Sequence, residues 1–373
     1  MKRYSICLVL LLIAAAMTPA LAAGYRTSVG SGGDEIAVVV VSGTPYEMGY
    51  DYGRLMRDEV GASMGRYLEK AKADDPERCT DANLDAAWAT MEPYVSARFL
   101  EELRGVAAGA GVPYALIRRA HSVPLVEDFA CSGVAVWGAA TANGRLYQIR
   151  NLDYTTDAGL QDYPVIVVYI PETGIPHANV AFAGFVGSMA GLNAEGIALT
   201  EKGASPSSDY PFDVNGLHFM VMFRSILQDA ASLDDALAIV RSAKRIKKYY
   251  YMIGDGRRRA AAKIRAFAPE LDIWPDNDPT DEVAPQVMPN LVYVTMDDRK
   301  AWDHFNAHYG QYNPELVIEL SRLVGTDGGL TYVVYDPAGR EMWVAYAEGN
   351  TPAHQREYVH FRLSDYLRRP PRG

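Results

Sequence analysis

A cysteine and a polar cluster stand at opposite ends of one apolar stretch, FACSGVAVWGAATANGRLYQIRNLDY, which runs from residue 129 to residue 154. Cys131 opens the stretch, and Arg150, Asn151 and Asp153 close it. A nucleophilic cysteine reacts as its thiolate, and a neighbouring cation lowers the pKa of the thiol. Charged side chains are seldom buried without a partner, so packing alone gives a strand no reason to end on this cluster. These residue types favour a nucleophile at Cys131, and a disulfide is the competing role.

The general base for such a nucleophile is not evident among the histidines, and no cysteine-protease signature of the CGSCW type is present. If the peptide bond before Cys131 were cut, the new α-amino group, with a reference pKa of about 8, could accept a proton near neutral pH. An N-terminal amine that activates its own side chain is an established catalytic device. Strand alternation places Asn151 and Asp153 on one face and Arg150 on the other.

The elements that must position these residues follow from hydrophobic periodicity. IAVVVVSG, at residues 36–43, predicts a buried strand, and the segment up to residue 121 predicts helices, with Gly49 and Gly53 one turn apart for close packing. From Cys131 onward, short apolar runs joined by turns such as Asn143-Gly144 predict antiparallel hairpins with helices between them. This pattern indicates a layered α+β architecture.

The first residues, MKRYSICLVLLLIAAAMTPALAAG, have a basic start, an apolar core and a small-residue end. This layout predicts a signal peptide over residues 1–22, cleaved near Ala22. We therefore expect a mature protein that is exported, periplasmic or secreted, without stable membrane insertion; an uncleaved N-terminal anchor is the alternative. Loss of Cys7 with this segment leaves Cys79 and Cys131, which could pair in an oxidising compartment.

Other kinds of site find little support in the sequence. The net charge of −10 argues against nucleic acid as a partner. His304 and His308 have the spacing of a zinc pair, but the glutamate of the metalloprotease motif is missing and no third ligand is evident. GSGG, at residues 30–33, precedes a strand rather than following one, unlike a phosphate loop. The sequence therefore predicts neither a metal nor a cofactor.

With these residues in view, the chain from Gly43 to its C-terminus resembles the N-terminal-nucleophile hydrolases. It is most similar to the acyl-coenzyme A:6-aminopenicillanic acid acyltransferase group (peptidase family C45), to which the choloylglycine hydrolases are related. GTPYEMGYDYGRLMRDEV resembles the helix that opens the family's proenzyme, and the Cys131 stretch resembles its cysteine, hairpin and Arg-Asn-x-Asp pattern. GSMAGLNAEGIALT resembles its Gly-x-Asn-x-x-Gly hairpin, and LTYVVYDPAGREMWVAYAEGNTP its C-terminal hairpin.

The resemblance implies a four-layer αββα fold and self-cleavage of a zymogen between Ala130 and Cys131. Residues 23–130 would form a mostly helical α chain or pro-region, and residues 131–373 the catalytic β chain of the same domain.

The same resemblance assigns the site. Cys131 would be the nucleophile, and its own α-amino group the base. Asp153 would position that amine, and Arg150 would orient the site or the substrate. Asn193 is the fourth candidate catalytic residue, with a purely structural role in a hairpin turn as its alternative.

The implied reaction is attack on a linear amide, a non-peptide or N-acyl C–N bond, followed by transfer of the acyl group to water or an amine. The partner would be a small-molecule amide or N-acyl substrate, and the sequence is also compatible with a homo-oligomer. One alternative is a catalytically silent binding or structural protein on the same fold, with a Cys79–Cys131 disulfide. Another is a lipid-amide or phospholipid hydrolase of a neighbouring family.

Three segments depart from the family pattern. Thr200-Glu201-Lys202 stands where asparagines are frequent, Thr295-Met296-Asp297 where Thr-Asn-His is common, and Thr326-Asp327-Gly328-Gly329 where the acyltransferase has an arginine. Such residues build the oxyanion hole or hold the substrate, and the loss of one oxyanion donor typically costs about two to three orders of magnitude in rate. These departures motivate the silent alternative.

Overall fold

The computed structural model describes residues 24–126, 130–204, 215–268, 270–282, 284 and 288–368. The predicted signal peptide, residues 1–22, lies outside the described residues. None of the described helices combines the length and the apolar character needed to cross a membrane.

The described strands form two sheets. In chain order they are β1 Tyr25–Val29, β2 Ile36–Gly43, β3 Ala130–Gly138, β4 Gly144–Asp153, β5 Pro164–Pro171, β6 His177–Phe182, β7 Ala190–Asn193, β8 Ile197–Gly203, β9 Lys248–Asp255, β10 Ala260–Phe267, β11 Leu271–Trp274, β12 Leu291–Val294, β13 Gly329–Asp336, β14 Glu341–Tyr346 and β15 Val359–Arg362. The nine-stranded sheet has the order β1-β2-β5-β6-β7-β8-β9-β10-β11, and the six-stranded sheet β12-β3-β4-β13-β14-β15. Neighbouring strands are antiparallel except for the parallel pair β2 and β5.

The described α-helices lie outside the sheets. They are α1 Pro45–Leu55, α2 Arg57–Asp74, α3 Asp81–Met91, α4 Ala97–Ala110, α5 Tyr114–Val126, α6 Phe219–Asp229, α7 Leu233–Ser242, α8 Asp298–His308 and α9 Pro314–Leu323. Helix α1 begins at Pro45, directly after Thr44, whose side chain forms a capping box with Glu47 in the first turn.

The elements stack in four layers. Helices α1, α6 and α7 contact the nine-stranded sheet, β3 contacts β8 of that sheet, and α9 covers β4 and β13 of the six-stranded sheet. The alternating side chains of β3 pack on two different layers. Val134 and Val136 pack into the core beneath α8 and α9. Ala135 and Trp137, on the opposite face, pack between the two sheets. This arrangement confirms the predicted αββα fold.

The two edge strands of the larger sheet, β1 and β11, did not follow from the sequence pattern. Strand β1 is exposed along almost its whole length, and β11 is half-exposed except at Trp274. A hydrophobic pattern reports burial, so edge strands that bury little are not recognised by it. Their pairing with β2 and β10 comes from the hydrogen-bonding edges that those strands offer.

Helices α1 and α4 approach each other closely through glycines. Gly49 and Gly53 of α1 face Gly105 and Gly109 of α4, as the spacing in α1 predicts. A Cβ atom on Gly109 would lie 2.0 Å from the carbonyl oxygen of Tyr50, far inside van der Waals contact. The backbones of the two helices therefore touch, and no larger residue fits between them.

Elements on both sides of the Ala130–Cys131 bond share one packed body. Strand β2 precedes that bond, and it pairs along its length with β5, which follows it. Glu102 of α4 also accepts hydrogen bonds of 3.1 and 2.9 Å from Nη2 of Arg224 on α6, and both side chains are buried. Cutting the bond would leave these contacts in place.

The glycine contact gives a direct test. We expect Gly109→Ala to lower the free energy of unfolding by roughly 1–3 kcal/mol, because the added methyl group must push two backbones apart. The matched change Gly65→Ala, on α2, places a Cβ atom with no heavy atom within 4 Å. It should raise stability by roughly 0.5–1 kcal/mol, since alanine is the better helix former. Urea unfolding of both variants measures this, and an equal effect would contradict the close packing.

Candidate active site

Strands β3 and β4 bring three of the four predicted site residues, Cys131, Arg150 and Asp153, close together. Their register pairs Ala130 with Asp153, Cys131 with Leu152 and Gly133 with Arg150. Paired residues share a face of the sheet, so Cys131 and Arg150 point towards the nine-stranded sheet and Asp153 towards the opposite face. This alternation confirms the distribution of side chains that the sequence predicts.

The thiol of Cys131 lies in a buried polar triad with Arg150 and Glu201. Sγ of Cys131 donates to Oε2 of Glu201 at 3.6 Å, and Nη2 of Arg150 donates to the same oxygen at 3.1 Å. Arg150 is fixed further by hydrogen bonds to the carbonyl oxygens of Met189, at 3.0 Å, and Asn151, at 2.7 Å. Because these contacts use all three nitrogens of the guanidinium group, Arg150 is held rigidly beside the thiol.

Burial decides the protonation of this thiol. Burial raises the pKa of Cys131 to about 12, and the opposing effect of Arg150 is smaller. The carboxyl group of Glu201 interacts with the same guanidinium group. Burial raises the pKa of Glu201, and Arg150 opposes that rise. Cys131 is therefore a neutral thiol that donates a hydrogen bond, and burial outweighs the lowering of its pKa by Arg150 that the sequence suggests.

Asp153 is clamped on the other face of β4. Its Oδ1 accepts from the hydroxyl groups of Thr326, at 2.7 Å, and Tyr332, at 2.5 Å. The Tyr332 oxygen in turn accepts from the backbone N–H of Thr326 at 2.9 Å. Burial raises the pKa of Asp153, and Oδ2 has no hydrogen-bond partner among the described residues. One carboxylate oxygen is thus fixed while the other can accept a further donor.

Asn193 holds a hairpin turn together, which is the structural role that the sequence offered as the alternative to a catalytic one. Its Oδ1 accepts from the backbone N–H groups of Glu195, at 3.1 Å, and Ile197, at 2.9 Å, which closes the turn between β7 and β8. Its Nδ2 donates to the carbonyl oxygens of Leu227, at 3.1 Å, and Ala230, at 2.8 Å. All of these contacts are with the turn and the end of α6, rather than with Cys131.

Two departures from the family pattern turn out to supply site contacts. Glu201 lies in the Thr200-Glu201-Lys202 segment, and its carboxylate bonds the Cys131 thiol. Thr326 lies in the segment where the acyltransferase has an arginine, and it bonds Asp153. From the sequence, both positions counted only as departures that remove residues of the oxyanion hole or of the substrate site. The one available signal was the charge of Glu201 within an apolar strand, since a buried charge requires a partner.

The disulfide alternative for Cys131 does not match the structure. Cys79 and Cys131 are both buried thiols, and the Cys131 sulfur contacts Glu201 instead of a second sulfur atom. The silent alternative therefore loses the bridge on which it partly relied.

A small apolar cavity is lined in part by Glu201, whose carboxylate accepts the hydrogen bond from the Cys131 thiol. It has a volume of about 20 Å³, room for about one water molecule, and Glu201 is the charged residue among its lining side chains. The lining includes Leu152, the cross-strand partner of Cys131, and Pro124 of α5, the helix that leads to the Ala130–Cys131 bond. Helix α5 therefore helps to close the cavity.

His121 fastens α5 over this region. Its Nδ1–H donates to the carbonyl oxygen of Ile117 at 2.8 Å, and its Nε2 accepts from the backbone N–H of Val186 at 3.1 Å. The second contact needs an unprotonated nitrogen, so the ring is neutral. Burial lowers the pKa of His121 from 6.5 to about 4.

This shift predicts an acid-sensitive stability. The pKa of His121 is lower in the folded chain than in the unfolded chain, so the unfolded chain binds the extra proton between pH 6.5 and about pH 4. The stabilisation is complete above pH 6.5 and is lost as the pH falls through this window, with a maximum of roughly 3 kcal/mol. Denaturant unfolding of wild type and His121→Gln across this range measures it. The wild-type curve should fall more steeply, and parallel curves would refute the assignment.

Comparison with known proteins gives the family context of the site. Residues 139–273 match the family model of acyl-coenzyme A:6-aminopenicillanic acid acyl-transferase, which confirms the resemblance stated from the sequence. Protein dcd1B of Dictyostelium discoideum is 24% identical, with 93% of this chain and 77% of that protein covered. Protein dcd1A of the same organism is 26% identical, with 73% of this chain and 68% of that protein covered.

Solved structures of distant proteins are also similar. An N-acylethanolamine-hydrolyzing acid amidase ortholog of Caenorhabditis elegans has a TM-score of 0.45 at 12% identity, covering 61% of this chain and 99% of that chain. A penicillin V acylase of Agrobacterium tumefaciens has a TM-score of 0.39 at 15% identity, covering 58% of this chain and 83% of that chain.

Proposed function

We propose, from the acyl-transferase family match of residues 139–273, that the chain is the precursor of a self-processing cysteine hydrolase or acyltransferase that cleaves linear amides through Cys131. The observation that carries the proposal is the register of β3 and β4, which sets Asp153 opposite Ala130 with Oδ2 unbonded among the described residues. A carboxylate at that point suits a new α-ammonium group on Cys131. Export is part of the proposal and rests on residues 1–22.

The precursor step is an acyl shift. Sγ of Cys131 attacks the carbonyl carbon of Ala130, a thioester forms, and the C–N bond between the two residues breaks. Glu201, which accepts the hydrogen bond from Sγ, takes the thiol proton and passes it to the departing amine. Water then hydrolyses the thioester, leaving a carboxylate on Ala130 and a free α-amine on Cys131.

The mature enzyme then uses that amine as its base. With a reference pKa of about 8, it accepts the thiol proton as Sγ attacks a substrate amide, and Asp153 stabilises the resulting ammonium group. The proton leaves with the substrate amine, and the acyl group on Cys131 passes to water or to an acceptor amine. Arg150 orients the site by holding Glu201, because its nitrogens already bond Glu201 and backbone carbonyl groups.

The cavity beside Glu201 supports an apolar acyl group. Aromatic and aliphatic side chains form most of its lining, including Phe182, Phe185 and Phe219. Burying each CH₂ group of an acyl chain there contributes about 0.8 kcal/mol. Movement of the α5 end after cleavage would open the cavity, since Pro124 forms part of its wall. This lining also keeps the lipid-amide alternative within the proposal.

Self-processing is the first test. We expect purified wild type to separate under denaturing conditions into two fragments, of which the larger begins Cys-Ser-Gly. Cys131→Ala should remain one chain, because no atom replaces the attacking sulfur. Intact mass and N-terminal sequencing report the outcome.

The matched control is Cys79→Ala, which removes the other buried thiol and should still be cut. Under native conditions the wild-type fragments should elute together, because β2–β5 pairing and the Glu102–Arg224 ion pair span the junction. An uncut wild type after prolonged incubation would sink the proposal.

Acyl-chain preference is the second test. With cleaved enzyme and a series of N-acyl p-nitroanilides, kcat/KM should rise roughly fourfold for each CH₂ group that the cavity accepts, and then level off. Met189→Ala widens the cavity while keeping the backbone carbonyl group that holds Arg150, so the plateau should move to a longer acyl chain.

Leu323→Ala, an exposed change on α9, is the control and should leave the preference unchanged. A rate that does not depend on chain length, or falls with it, would exclude an apolar acyl site at this cavity. Addition of an amine acceptor then separates acyl transfer from hydrolysis by the product formed.

A further inference from the structure

A second cluster of potential ligands lies in the outer helix layer, away from Cys131. His304 and His308 stand one turn apart on α8, and their ring centroids are 4.5 Å apart. Glu319 of α9 faces them, and one ligand atom from each of the three residues lies within 4.8 Å of the others. The third ligand that the sequence did not show is therefore supplied by the neighbouring helix.

His304 presents an unused nitrogen to this cluster. Its side chain is buried, and Nε2 has no hydrogen-bond partner among the described residues. The nearest carboxylate oxygen, Oε1 of Glu319, is 3.8 Å from Nε2, which is beyond hydrogen-bonding distance. A buried nitrogen left without a donor or acceptor requires an explanation.

The other nitrogen of His304 is already committed. Nδ1 lies 2.8 Å from the hydroxyl oxygen of Tyr312, a fully buried side chain. When Nδ1–H donates to that oxygen, Nε2 carries the free lone pair, and it lies 3.8 Å from Oε1 of Glu319. Histidines that bind metals are oriented by a hydrogen bond of this kind from their second nitrogen.

We propose that His304, His308 and Glu319 form a binding site for a divalent transition-metal ion of the zinc class. Two imidazoles and one carboxylate suit Zn²⁺, whereas Ca²⁺ and Mg²⁺ prefer ligand sets made only of oxygen. Small rotations of the exposed Glu319 side chain would bring its oxygen to bonding distance. The site is independent of the proposed amidase chemistry.

Metal bound there would clamp α8 to α9. Helix α9 is tied to the strand that carries Asp153, because Nδ2 of Asn151 donates to the carbonyl oxygen of Ser321 at 2.8 Å and Ser321 Oγ donates back to Asn151 Oδ1 at 2.7 Å. The structural role of the ion would therefore be to stabilise the helix layer behind the Asp153 clamp, and we expect it to raise the thermal midpoint.

The test uses the full-length protein without a histidine tag, stripped with a chelator and titrated with Zn²⁺ by calorimetry. We expect saturable binding of one ion per chain. His308→Ala and Glu319→Gln should each bind more than about 100-fold more weakly, since the loss of an outer-shell partner alone costs about 10–100-fold. Tyr312→Phe should weaken binding by about tenfold for that reason.

The matched control is His360→Ala, because His360 and Glu341 form a histidine–glutamate pair on the surface without a second histidine. It should bind like wild type. Co²⁺ bound to the wild type should give the visible absorption bands of a tetrahedral site, a readout that needs no variant. Absence of these bands, or equal affinity in wild type and His308→Ala, would overturn the proposal.

Discussion

The buried ion pair between Arg150 and Glu201 is the interaction on which the site depends. Arg150 lies on β4 of the six-stranded sheet and Glu201 on β8 of the nine-stranded sheet, so the pair joins the two central layers. Removing one partner of a buried pair costs roughly 3–5 kcal/mol, because the other charge is left uncompensated. The Cys131 thiol donates to the same carboxylate oxygen. Any shift of one sheet against the other therefore also changes the distance between the thiol and this carboxylate.

This pair also explains why Cys131 is held as a neutral thiol. A cation beside a cysteine normally favours the thiolate, but Glu201 neutralises Arg150, and burial raises the pKa of Cys131 to about 12. In the proposal, Glu201 accepts the thiol proton for the single self-cleavage step, and the turnover of substrates uses a different base. In the proposed mechanism cleavage supplies that base at the same residue, and Asp153 has an oxygen ready to receive it.

Several contacts that hold the layers together lie away from the bond between Ala130 and Cys131. The close contact of α1 and α4, the pairing of β2 with β5 and the ion pair between Glu102 and Arg224 are all made at a distance from that bond along the chain. The proposed cut would therefore act mainly on its immediate surroundings, where Pro124 forms part of the wall of the apolar cavity. A fold of this kind can release one local segment while it keeps the rest of the core.

The sequence by itself determined the α+β class, the hairpin that carries Cys131, and the opposite faces of Arg150 and Asp153. These features depend on the periodicity of neighbouring residues, which a single strand or helix expresses locally. Only the tertiary structure decided that Glu201 meets the thiol, that Thr326 holds Asp153, and that Glu319 faces the paired histidines. Those contacts join residues far apart in the chain, and the order in which sheets and helices stack, rather than any local pattern, determines which of them meet.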